Sequence, residues 1–210
     1  MSKVLVFGAG GRAGRAAVEE ARRRGHQVTA AVRNAIKYDD LAADRVEVVT
    51  GDVTAAADVA RLADGQEAVI AAVYDGGADL ATFFTAAAQA LVDGLTKAGV
   101  ARLVWVGLAS TLETESGALL MDTPGYPQEY RSFYLAHAAA ADVLASSDLD
   151  WLTIAPAGDF DHGNPDRTGK YRPTPAEATS RISYADFAIA MLDEVDAPQH
   201  HRTLLGVETG

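Results

Sequence analysis

The segment Val4-Leu-Val-Phe-Gly8-Ala-Gly10-Gly11-Arg12-Ala-Gly14 sets a short apolar run, a glycine cluster and the opening of a helical pattern end to end. This order reads as strand, tight turn, helix, with the helix over Ala13–Arg24. Side chains are missing where a strand hands over to a helix N-terminus, and there bare amides and the helix dipole favour negative charge. A diphosphate approaches such a turn only if nothing projects from it. Gly8, Gly11 and Gly14 are spaced as GxxGxxG, while Gly10 also allows GxGxxG to be read. The turn therefore predicts a dinucleotide diphosphate held by Gly8, Gly10, Gly11, Arg12, Ala13 and Gly14.

The rest of the chain repeats the alternation. Strand patterns follow at Gln27–Val32, Val46–Val49, Ala68–Val73, Arg102–Gly107, Trp151–Ala155 and Thr203–Val207. Helical patterns lie between them at Asp58–Leu62, Leu80–Lys97 and Tyr130–Ser146, and a last one, Asp186–Val195, starts behind a capping Ser183. Parallel strands need crossovers, and helical crossovers cover both faces of a sheet. The expected fold is α/β: a Rossmann-type, doubly wound, mostly parallel sheet with helices on both faces, in a single domain over residues 1–210. Ligands of such folds sit outside the carboxyl ends of the strands. Gly8, Arg33, Asp52, Val73, Thr111 and Pro156 all follow strand ends and are expected around one cleft. Residues 157–181 lose periodicity and fill with Gly, Pro, Asp and Thr. Substrate-side loops are expected mainly at 108–130 and 157–182.

Bulk properties narrow the function classes. The 210 residues are 49% hydrophobic, enough for one sizeable core. With 29 acidic against 18 basic residues, the formal charge of −11 opposes nucleic acid and anionic membranes, so neither is an expected partner. The chain has no cysteine, which removes disulfides, thiolate nucleophiles and thiolate metal sites. The opening apolar run is too short for a signal peptide, and a cytoplasmic protein, monomer or homodimer, is expected.

The end of the second strand decides between dinucleotides. An acid there accepts from the ribose hydroxyls of NAD, and a cation there receives the 2′-phosphate of NADP. This chain has Arg33, with no acid in residues 28–34, and Arg12 is expected to converge on the same phosphate. NADP(H) is the expected cofactor, with NAD(H) possible. Asp52 and Val53 are expected to flank the adenine. Ala72, Val73 and Pro156 complete the expected cofactor contacts.

Short-chain reductases generally pair a tyrosine with a lysine four residues later, and the lysine makes the phenol a better acid. None of Lys3, Lys37, Lys97 and Lys170 stands four after a tyrosine. The remaining candidates for catalysis are Ser110 and Thr111 after the fifth strand and His137 on the following helix, with Tyr130 and Tyr134 nearby. His162 with Asp159 and Asp161, and the pair His200-His201, do not form a convincing metal site, and none is expected.

Several longer motifs carry a resemblance that spans nearly the whole chain. They are Gly8–Gly14, Arg24-Gly-His-Gln-Val-Thr-Ala-Ala-Val-Arg-Asn34, Leu120-Met-Asp-Thr-Pro-Gly-Tyr-Pro-Gln-Glu-Tyr130, Pro156-Ala-Gly-Asp-Phe160, Arg167-Thr-Gly-Lys-Tyr171 and Arg181–Met191. With them the chain resembles the atypical short-chain dehydrogenase/reductases labelled NADH-flavin reductases, relatives of NmrA-like proteins and of biliverdin reductase B. The resemblance implies NADPH or NADH in the glycine turn and hydride transfer to a small acceptor, with FMN, riboflavin or a quinone-like molecule as candidates. It also implies that a missing Tyr/Lys pair is normal for the group. Ser110 and Thr111 depart from the group's usual residues, and so bear on the acceptor and not on the cofactor. A dinucleotide sensor of the NmrA kind without turnover, or a specialised biosynthetic reductase, is the alternative.

Overall fold

The computed structural model describes residues 1–210 and shows an eight-stranded sheet between two helical layers. Six parallel strands come first: β1 (Lys3–Phe7), β2 (Gln27–Val32), β3 (Val46–Thr50), β4 (Ala68–Ala71), β5 (Arg102–Val106) and β6 (Asp150–Pro156). The helices between them are α1 (Arg12–Arg23), α2 (Ala56–Ala63), α3 (Leu80–Ala98) and α4 (Arg131–Ala145). Three short strands follow, β7 (Asp159–Phe160), β8 (Tyr171–Pro173) and β9 (Arg181–Ile182), then α5 (Tyr184–Asp196) and β10 (Thr203–Thr209). The sheet order is β3-β2-β1-β4-β5-β6-β10-β8, with only β8 antiparallel to its neighbour. The doubly wound α/β expectation holds. Strand order reverses between β1 and β4, which opens the crevice where ligands of this fold bind.

The pleat explains why the central strands are apolar on both sides. Along β1, Leu5 and Phe7 point into one core while Val4 and Val6 point into the other, and all four are at most 1% exposed. α2, α3 and α4 cover the first face, and α1 and α5 cover the second. No helix is long and apolar enough to cross a membrane.

The aperiodic region 157–181 is pinned by acids that helices supply. Glu20 of α1 is buried and accepts from both the Arg167 and Arg24 guanidinium groups. Burial alone would raise its pKa, but the two guanidiniums outweigh that and hold it below the usual carboxylate value. Ser183 caps α5 as expected, its hydroxyl accepting from the amide of Asp186, but the Asp186 side chain faces the loop. It is 1% exposed and accepts from the Thr168 hydroxyl at 2.7 Å and the Gly169 amide at 2.9 Å. The Tyr171 hydroxyl donates to Asp193 further along α5. The Arg167–Tyr171 motif is thus an anchor that fixes the loop to α1 and α5.

One candidate for catalysis belongs to the core. His137 of α4 is 8% exposed and lies between the rings of Phe84, at 4.1 Å, and Phe133, at 4.8 Å. Burial in this apolar wall pushes its pKa down to about 4. Near neutrality it is the uncharged imidazole and not the imidazolium acid that the expected role needs, and it packs in the core and lines neither of the clefts described below. A base whose pKa falls on folding stabilises the fold above its unfolded pKa, and that contribution is lost as pH drops through the folded value. Replacement of His137 by Phe is expected to flatten the acid limb of stability. Urea midpoints should fall less for the variant than for the wild type between about pH 6.5 and pH 4, a difference of roughly 3 kcal/mol. Parallel midpoint curves would show that His137 is not buried as a neutral base.

Candidate cofactor site

The glycines of the first turn divide into two kinds. Gly8 has φ +74°, and a Cβ on it would stand 2.1 Å from the Ala72 carbonyl oxygen; one on Gly14 would stand 2.1 Å from the Gly8 oxygen. The fold itself requires both. Gly11 has extended φ and ψ of −78° and 169°, and a Cβ there would meet only the Gly8 oxygen at 3.4 Å. No neighbour demands glycine at this position. The space lies in front of α1, which has no side-chain cap and no acid in its first turn. The first-turn amides of Arg12, Ala13 and Gly14 thus face a cradle that a side chain at Gly11 would fill, and these residues fit a diphosphate. Gly10 is covered by a residue that sequence reasoning missed. Tyr38, in a 3-10 segment at Ala35–Leu41, lies over the turn, and Arg15 ties the two together by donating to the Gly10 carbonyl and pairing with Asp40.

Beyond β1 to β4 lies a cleft of about 420 Å³ that brings together Gly8, Arg33, Asp52, Val53 and Val73. Ala72 abuts its wall at Gly8. The floor is apolar, with Phe7, Ala31 and Phe83, as a purine ring requires. Asp52 turns back to accept from the Thr54 amide and hydroxyl. Arg33 is largely exposed and donates to Asp75, which follows β4. Arg12 does not join it, contrary to expectation. Its guanidinium donates to His162 Nδ1 at 3.0 Å and stands 5.2 Å over the Tyr184 ring, which itself stacks on Phe160. An aromatic face and an imidazole across the start of α1 draw Arg12 toward the late loop and away from β2. His162 is accordingly part of this cluster.

A second cleft of about 590 Å³ opens between residues 123–130, the start of α4 and the turn after β6. Leu108, Pro124, Tyr126, Tyr130, Phe133 and Tyr134 form its walls, with Asp159 and Arg181 at the polar side. The Tyr126 and Tyr134 rings are 5.3 Å apart. Burial, then the neighbouring Tyr134, raises the Tyr126 pKa to about 12, and burial also raises that of Tyr134. Both stay neutral phenols able to donate hydrogen bonds. The clefts are neighbours, because Tyr74 of the first packs edge-on against Phe133 of the second at 6.2 Å.

Ser110, Thr111 and Pro156, like His137 and Arg12, line neither cleft. Ser110 is fully buried with an unpartnered hydroxyl oxygen. The Thr111 hydroxyl donates to the Leu108 carbonyl, and its residue borders a separate groove beside β10. Pro156 is buried within β6, where it is opposite Val207. The single cleft expected from strand ends therefore gathers the β1 to β4 residues and leaves out Thr111 and Pro156. The short helical turn at Ala109–Thr111 redirects the chain immediately after β5, and nothing in the spacing signals it. Tyr130 and Tyr134, which the sequence sets near the other candidates for catalysis, line the second cleft together with Tyr126.

Comparison with known proteins agrees with this geometry. The NAD(P)H-binding family matches residues 8–197. YwnB of Bacillus subtilis is 34% identical, over 94% of each chain. A Burkholderia pseudomallei structure with the provisional name of exported protein has 36% identity and a TM-score of 0.85, over 99% of this chain and all of that one. A Streptococcus pneumoniae structure with the provisional name of NADH-flavin reductase has 30% identity and a TM-score of 0.84 over the whole of both chains. With the match running from Gly8 to the end of α5, the chain belongs to the NAD(P)H-binding family.

Proposed function

We propose that this chain is an NAD(P)H-dependent oxidoreductase that prefers NADPH and transfers hydride to a small planar acceptor, such as FMN, riboflavin or a quinone. The observation that carries this reading is the pair of adjoining clefts beside one anion-accepting turn. The first has the size, apolar floor and strand-end cation that an adenosine 2′-phosphate needs, and the second is walled by aromatic rings.

When bound, the dihydronicotinamide supplies the hydride. The chain supplies position. The first-turn amides of α1 and the space at Gly11 hold the diphosphate, Arg33 meets the 2′-phosphate, and Asp52 and Val53 border the adenosine. Tyr126, Tyr130, Phe133 and Tyr134 stack and exclude water around a flat acceptor, and the neutral phenols donate hydrogen bonds to its carbonyl oxygens. Positioning supplies much of the rate when the acceptor is an electron-poor ring, so little acid catalysis is needed. The provisional name of the Streptococcus pneumoniae relative points to the same class of acceptor. A cytoplasmic location, where NADPH is kept reduced, goes with this reading.

Three outcomes are expected. Gly11→Ala should fold with a melting temperature close to wild type yet bind NADPH at least about tenfold more weakly. Gly14→Ala should fail to fold stably. Equal cofactor affinity in wild type and Gly11→Ala would remove the diphosphate from this turn. Fluorescence titration of the wild type should show tighter binding of NADPH than of NADH, and Arg33→Asp should narrow or invert the difference; equal affinities in the wild type would sink the preference. In an assay of NADPH oxidation with FMN, riboflavin and a quinone panel, Tyr126→Leu should raise the KM for the acceptor, while Thr111→Ala and His137→Phe leave turnover near wild type. Tight cofactor binding without turnover on any acceptor would favour a dinucleotide sensor instead.

A further inference from the structure

The adenosine-side cleft contains one cation and three carboxylates. Arg33 faces Asp52, Asp75 and Asp79, and no other basic residue borders the space. Two of the acids are committed to local structure: Asp52 closes its own turn with Thr54, and Asp79 caps α3 by accepting from the Thr82 amide and hydroxyl. Asp75 is different. One of its oxygens accepts from the Gly77 amide at 3.1 Å, and the other accepts from the Arg33 guanidinium at 2.5 Å. Asp75 is the less exposed partner of the pair, with 23% of its side chain accessible against 66% for Arg33.

From this arrangement we infer that Asp75 is a specificity-determining residue that occupies the 2′-phosphate's cation and so restrains the preference for NADPH over NADH. The inference rests on the cofactor reading above and adds a residue to it. A 2′-phosphate must draw Arg33 away from a carboxylate already in contact with it, and it then sits as a dianion beside that same carboxylate. Both effects oppose NADPH, in a chain whose formal charge is already −11. A 2′-hydroxyl meets no such opposition, because it donates to a carboxylate and leaves the ion pair intact. Arg33 alone would specify NADPH strongly; Arg33 with Asp75 admits both dinucleotides and prefers NADPH only modestly.

Asp75→Asn keeps the shape and the acceptor for the Gly77 amide while it removes the charge. Dissociation constants for NADPH and NADH, measured by cofactor fluorescence on the full chain at low ionic strength, test the inference. The variant is expected to bind NADPH about five- to tenfold more tightly, with NADH affinity unchanged or reduced, and the gain should shrink as salt is added. A second variant, Asp75→Ser, should move the NADPH to NADH ratio in the same direction. An unchanged or smaller ratio in a folded Asp75→Asn protein overturns the role of Asp75 while the cofactor reading stands. If neither wild type nor variant binds either dinucleotide, the cofactor reading fails and takes this inference with it.

Discussion

The close approach of β1, its turn and α1 is the constraint on which the remaining structure depends. The Gly8 Cα lies against the Ala72 carbonyl, and the Gly8 carbonyl lies against Gly14, at separations that leave no room for a methyl group. These two contacts bring the end of β4 beside the end of β1 and seat α1 directly over the turn. The crevice between β1 and β4, the free first-turn amides and the adenosine-side cleft all follow from that seating. Gly11 differs because no contact within the protein requires a glycine there.

Charge organises the second half of the chain in a similar way. The late loop has little apolar surface to bury and is held by polar contacts to buried acids. Glu20 takes Arg167 and Arg24, and Asp186 takes Thr168 and Gly169. Such contacts act at a distance in sequence, across α1 and α5, and they fix where the chain re-enters the sheet at β8. The loop's position in turn sets the second cleft, through Asp159 and Arg181, and brings His162 to Arg12. A region that reads as structureless by periodicity is therefore a built wall.

The second cleft and the core share one aromatic cluster. Phe133 lines the cleft, packs against Phe84 and His137 beneath it, and touches Tyr74 of the neighbouring cleft. The same side chains that seal the core on one side present a flat apolar surface on the other. His137 shows the consequence: one turn of helix from Tyr134, it points into the core, where burial removes its charge and its use in proton transfer.

The sequence by itself determined the alternation of strands and helices, the parallel sheet and the glycine turn between β1 and α1. These are local signals: apolar period, glycine spacing and the capping Ser183 depend on neighbours a few residues away. It also placed Gly8, Arg33, Asp52, Val53 and Val73 around one cleft, since they are strand-end residues and a parallel sheet collects its strand ends. Tertiary structure alone decided which charges and hydroxyls meet. Arg33 finds Asp75 and Arg12 finds His162, each from a separate part of the chain. Ser110 and Thr111 turn inward after β5, and Tyr126, Tyr130 and Tyr134 line the second cleft. Spacing along the chain carries no information about these pairings, because loop paths fix them and those paths depend on buried contacts far apart in sequence.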